Sequence, residues 1–185
     1  MSDADLSEKP LSSRTVYQGR LLDVREDRVR LPNGKESGRE YIVHPGAVAV
    51  VPLLDDGSVL LERQHRYPLR RDVIEIPAGK LDAGEAALAC GQRELVEETG
   101  FEAAEWTPLV TMHPCIAYSD EAIAIFLARG LRHVGHRRDE DEFLELLSLP
   151  FAAALEWVRD GRISDSKTLV GLLWADKWLR GEWAS

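Results

Sequence analysis

The sequence predicts an α+β domain, on three observations. Alternating and continuously apolar strand-like segments occur in the same chain; one helical pattern with an acidic face lies between them; and the C-terminal end turns helical. With 185 residues, 44% of them hydrophobic, the chain can bury one proper core.

The elements follow in order. Residues 1–14 are polar and acidic and read as a disordered leader. Residues 15–31 are rich in β-formers, Pro32-Asn33-Gly34-Lys35 marks a turn, and Glu40–Val43 resumes the β pattern, which predicts an antiparallel extension over 15–44. The main domain is expected over 45–185. Ala47–Leu54 is an apolar run suited to a strand covered on both faces. Asp55-Asp56-Gly57 is a tight turn, and Ser58–Arg63 is expected to return as its hairpin partner. Gln64–Asp72 reads as a basic loop and Val73–Ile76 as a short strand ended by Pro77. Gly84–Thr99 is helical, with Leu88, Gly91 and Leu95 marking its buried stripe and Gly100 ending it. Trp106–Met112, Ala122–Ala128 and Phe143–Ser148 are strands, and Arg129–Glu142 is a charged loop. Phe151–Asp160 and Ser164–Arg180 are helices, the second capped by Ser164 or Asp165.

Composition excludes several classes. A formal net charge of -9 disfavours nucleic acid and anionic membranes as partners. No apolar run approaches the roughly 20 residues of a membrane span, and the leader lacks a secretory core, so a cytoplasmic location is expected. Cys90 and Cys115 form neither a CxxC pair nor a zinc spacing and read as reduced, partly buried thiols. The five histidines share no ligand spacing.

The chemistry concentrates between Gly79 and Phe101. Helical periodicity puts Glu94, Glu97 and Glu98 on one face, where like charges repel and Arg93 offsets only part of the repulsion. Alone, such a cluster is more often a solvated helix face. Held beside a buried stripe, it offers the oxygen ligands that Mg²⁺ and Mn²⁺ prefer. Gly79, Glu85, Arg93, Glu94, Leu95, Glu97, Glu98, Gly100 and Phe101 stand in register across this stretch.

That register resembles the Nudix box, GX5EX7REUXEEXGU, at every position. The segments HPGAVAVVPL, LLERQHRYPL and EIPAGKLDAGE, with YSDE, DEDEF and the GEW terminus, are similar to the ADP-ribose pyrophosphatase branch. The resemblance implies an α/β/α sandwich around a mixed sheet. It implies hydrolysis of the pyrophosphate of ADP-ribose to AMP and ribose 5-phosphate with Mg²⁺ or Mn²⁺, in a homodimer with the N-terminal sheet reaching across. By the same resemblance Glu94, Glu98 and the carbonyl of Ala78 are metal ligands, with Glu97 near a further ion. Arg93 orients the glutamates through Glu97, and Glu85 is structural. Glu140 and Glu142 match the loop acids that act as general base and further metal ligand, without telling which is which. Arg39 and Arg66 match arginines near the diphosphate, and Glu121 an acid of the substrate cleft. Tyr17 and Tyr41 are candidates to stack a base, though sheet packing serves them equally. Here the sequence departs: His113–Tyr118 replaces a proline-glycine turn before Glu121, which alters the expected sugar pocket.

Two other readings remain open. The same chemistry could act on another nucleoside diphosphate sugar such as GDP-mannose, because the box does not choose the sugar. A non-catalytic ligand-binding module would be expected to lose box glutamates, and none is lost.

Overall fold

A computed structural model describes residues 5–135 and 143–183. It divides into two compact units, residues 1–45 with 115–121, and residues 46–114 with 122–185.

The N-terminal unit is a three-stranded antiparallel sheet in the order β1 (Lys9–Gln18), β2 (Asp23–Arg30), β3 (Glu36–Val43). The predicted turn closes β2 onto β3 with Gly34 at φ 84°. Strand β1 begins at Lys9, inside the stretch read as leader, because alternation is invisible in a strand whose residues are all exposed. Segment 115–121 joins this sheet: Ile42 N–H donates to the Tyr118 carbonyl at 2.9 Å and His44 N–H to Asp120 at 2.7 Å.

The larger unit holds two sheets. One is four-stranded and mixed, β7 (Ala78–Lys80), β4 (Ala47–Pro52), β9 (Ile123–His133), β8 (Phe101–Met112), with β4 and β9 parallel. The other is antiparallel, β10 (Leu144–Pro150), β5 (Ser58–Arg66), β6 (Arg71–Glu75). Helix α1 (Ala87–Glu94) covers one face of the mixed sheet; α2 (Phe151–Arg159) and α3 (Ser166–Leu179) cover the other. Strand β4 explains the sandwich. Its alternate residues Val48 and Val50 pack with Cys90 and Leu95 under α1, while Ala49 and Val51 pack with Leu172 and Ala175 of α3. Both faces are dry, as the apolar run predicted.

Further sequence expectations change, and one is that β9 runs on to His133, through the start of the expected charged loop 129–142. Strands β4 and β5 reverse at Asp55-Asp56-Gly57 but form no hairpin: they meet only at the Leu53–Val59 bridge and then enter different sheets. A tight turn fixes a reversal, not the sheet that each strand joins. The hairpin is β5–β6, paired from Glu62–Glu75 to Arg66–Arg71, so most of the expected basic loop is strand. Its polar residues are exposed there and hide the β pattern. Leu88 is 41% exposed, and the stripe is Cys90, Gly91 and Leu95. A Cβ on Gly91 would stand 3.1 Å from Val48, so the helix approaches the sheet too closely for larger residues. Finally, the helix does not stay α to Thr99: Leu95–Thr99 widens into a π-helical turn that Gly100 ends at φ 77°.

Candidate active site

Strand β7 and helix α1 are joined by the loop 81–86, in which Gly84 takes φ 79°. Glu85 closes this loop on itself: its carboxylate accepts from Asp82 N–H at 3.0 Å while its own N–H donates to the Asp82 carbonyl at 3.0 Å. The loop sets the start of α1 although Ala86 offers no side-chain cap.

Arg93 is the hub. Its Nε and Nη2 donate to the two oxygens of Glu85, each at 3.0 Å, and its Nη1 donates to Glu94 at 2.8 Å and Glu97 at 2.9 Å. One planar guanidinium thus holds three carboxylates at fixed angles. The Arg93 hydrogen bonds, then the Asp82 amide, hold the Glu85 carboxyl down at about 2. Arg93 itself is raised, chiefly by its bonds to Glu85. Beside it, burial and the Glu85 charge push the Cys90 thiol up to about 12, which makes it an inert core residue.

The remaining acids reach β7. The Ala78 amide donates to Glu98 at 3.0 Å, and Glu98 is buried. A Cβ on Gly79 would overlap the Glu94 carboxylate, so this glycine is required by close approach. The structure therefore brings together Ala78, Glu85, Arg93, Glu94, Glu97 and Glu98. Among the described residues, no three His, Cys, Asp or Glu side chains converge tightly enough to hold an ion. Arg93 occupies oxygens of Glu85, Glu94 and Glu97 instead. The donor set still fits the expected cation. Its carboxylates are hard oxygen ligands, and the bare backbone at Gly79 gives Glu94 room beside Ala78.

Glu140 and Glu142 lie outside the described residues. Arg66 stands at the end of β5, bound edge-on by Glu75 (Nε to Oε1 2.6 Å, Nη2 to Oε2 2.7 Å), and lines a cavity of about 520 Å³ with Leu69, Val73 and Lys167. Arg39 and Glu121 belong to the N-terminal unit. Arg39 pairs with Glu8 (Nε to Oε2 2.9 Å) and lines a cavity of about 380 Å³ with Asp27, Tyr41 and Tyr118. Glu121 lies 3.7 Å from the His44 ring. Tyr41 donates its hydroxyl to Asp27 at 3.1 Å, whereas Tyr17 is exposed.

Sequence reading missed the buried acids behind this surface. Glu75 and Glu62 are 4% and 3% exposed and face each other across the β5–β6 ladder. An available signal was a charge inside the apolar run Val73–Ile76; Lys167, the second residue of α3, answers it in the structure.

Known proteins are similar to this chain over most of its length. The NUDIX domain model matches residues 43–168, and the model of the nucleoside diphosphate sugar hydrolase N-terminal domain matches residues 8–42. An ADP-ribose pyrophosphatase of Bacillus subtilis is 39% identical over 165 residues, 88% of this chain and 89% of that one. A methanol dehydrogenase activator of Bacillus methanolicus is 38% identical over 167 residues, covering 89% and 90%. The crystal structure of an ADP compounds hydrolase superposes with a TM-score of 0.84 at 27% identity, over 95% of this chain and 96% of that one.

Proposed function

The chain belongs to the Nudix family and is a Nudix pyrophosphohydrolase, and on that premise we propose that it hydrolyses ADP-ribose to AMP and ribose 5-phosphate with Mg²⁺. The observation that carries the chemistry is the convergence of Glu94 and Glu98 on β7 while Arg93 bridges Glu85, Glu94 and Glu97. Glu94, Glu98 and the Ala78 carbonyl would hold Mg²⁺ or Mn²⁺, with Glu97 and Glu142 toward further ions. Bound there, such ions would supply positive charge to the diphosphate oxygens and acidify the attacking water.

The protein's own groups do the rest. Arg93 keeps three carboxylates from splaying apart, and Glu85 anchors Arg93 to the loop. Arg66 offers its Nη1 end, which has no partner among the described residues, to a diphosphate oxygen. On the family resemblance alone, Arg39 is a further arginine for the diphosphate and Glu121 an acid of the substrate cleft. Glu140 or Glu142 would take the proton of the attacking water. The exposed length of β1 supports a homodimer built on the N-terminal sheet, with cytoplasmic residence as the expected setting.

The near-equal identities to a pyrophosphatase and to a dehydrogenase activator make the substrate the question to test. A panel of ADP-ribose, GDP-mannose and other nucleoside diphosphate sugars, incubated with Mg²⁺ and assayed for phosphate after phosphatase coupling, should show ADP-ribose turned over fastest. ADP-ribose hydrolysis far below that of another sugar nucleotide would sink the substrate assignment. Tight calorimetric binding without product in Mg²⁺ would sink hydrolysis itself.

A further inference from the structure

Lys167 lies outside the box and far from it in sequence, yet it shares a buried carboxylate with Arg66. Its Nζ donates to Glu75 Oε2, the oxygen that also accepts Arg66 Nη2 at 2.7 Å. The same Nζ donates to Asp165 at 3.0 Å, and the Lys167 side chain is only 12% exposed. Asp165 is tied down in turn as the N-cap of α3, accepting from Thr168 N–H at 3.0 Å and from the Thr168 hydroxyl at 2.6 Å. The Thr168 hydroxyl accepts from Ile76 N–H at 2.9 Å, in the residue next to Glu75. The start of α3 therefore grips the end of β6 at two points.

This grip has an electrostatic reason. Glu62 and Glu75 face each other on neighbouring strands, both buried, and directly opposed like charges destabilise a sheet. Arg66 lies on the same side of β5 as Glu62, two alternations further on. Besides Glu75, Arg66 feels the charges of Asp165 and Glu98, so its guanidinium has more than one acid to turn toward. A second cation fixed on Glu75 from α3 removes that freedom and leaves Arg66 one orientation.

We propose that Lys167 is a positioning residue: with Asp165 it locks Glu75, and Glu75 presents Arg66 to the diphosphate of the substrate. The proposal rests on the reading of Arg66 as a substrate contact. The lock fixes where the guanidinium stands before substrate arrives, so the substrate need not order it.

The test has two arms. In the first, the Nε–H signal of Arg66 is followed by NMR in the full chain, assigned by its loss in Arg66→Lys. It should be sharp and slow to exchange in the parent, broadened or lost in Lys167→Met, and restored in Lys167→Arg. Asp165→Asn keeps an N-cap and removes only the charge, so it should broaden the signal even if Lys167→Met fails to fold. In the second arm, kinetics use the best nucleoside diphosphate sugar of the panel. Lys167→Met should raise KM roughly tenfold with kcat changed less than about threefold, and should add nothing in an Arg66→Met background. An unchanged Arg66 signal in Lys167→Met and Asp165→Asn overturns the lock. An equal loss from Lys167→Met with and without Arg66 overturns its action through Arg66. A parent that cleaves no sugar nucleotide would instead defeat the proposed substrate, and the NMR arm would still decide the lock.

Discussion

Gly79 shows how little of a site need be side chain. It has no unusual φ, and its requirement comes wholly from the carboxylate of Glu94 lying where a Cβ would be. Gly79→Ala should leave the fold intact, since the overlap is with the end of a side chain and not with backbone, and should push the Glu94 carboxylate aside by about 1 Å or more. A displacement of about 1 Å can cost roughly a hundredfold in rate. We expect a loss of that order in kcat with an unchanged circular dichroism spectrum, and near-parent turnover would show that Glu94 does not need its position. The box residues were legible because their types and spacing state their chemistry. Glu62, Glu75 and Lys167 were not, because each looks ordinary alone and gains meaning only when β5, β6 and α3 meet.

Elements carry the energetics. Leu95 is fully buried under α1 and Leu88 is not, although the periodicity made them equivalent. Leu95→Ala should cost about 2–5 kcal/mol in urea unfolding and Leu88→Ala well under 1 kcal/mol. Equal costs would restore the stripe first drawn from sequence. Periodicity gives the side of a helix but not how far the sheet beneath it reaches: Leu88, in the first turn of α1, is left exposed, while Leu95 at its other end is covered. Strand β6 gives a prediction in pH. Burial alone would raise the Glu75 carboxyl, but Arg66 and Lys167 hold it at about 2, against an ordinary value of 4.5. A depressed carboxyl contributes stability that is complete above about pH 4.5 and disappears as pH falls through about 2. The contribution is about 3 kcal/mol, so melting curves of Glu75→Gln should lie below the parent at neutral pH and approach it toward pH 2. A constant gap across that range would mean the charge is not what stabilises.

For the molecule as a whole, sign of charge and fold point the same way. The net charge is -9, and several acids are gathered around Arg93, so a divalent cation held there would relieve repulsion as well as serve the proposed reaction. Mg²⁺ at about a hundred times its Kd should add about 2.7 kcal/mol to folding stability, and Glu98→Gln should remove most of that gain. An identical Mg²⁺ response in both proteins would place the ion elsewhere. That β4 is covered on both faces was legible in its apolar run, and the sandwich followed from the family resemblance. The partition of strands into separate sheets was not, because it is settled by pairing between segments distant in the chain, β4 with β9 and β5 with β10.

The grip of α3 on β6 also has a consequence in time. During synthesis the carboxylates of residues 85–98 leave the ribosome well before Asp165, Lys167 and Thr168, and domains complete their folding only as their last elements emerge. The lysine that steadies Arg66 is therefore among the last functional residues to arrive. A nascent chain carries its full acidic box while Arg66 is still unsteadied, and the proposed hold on the diphosphate tightens only once α3 docks.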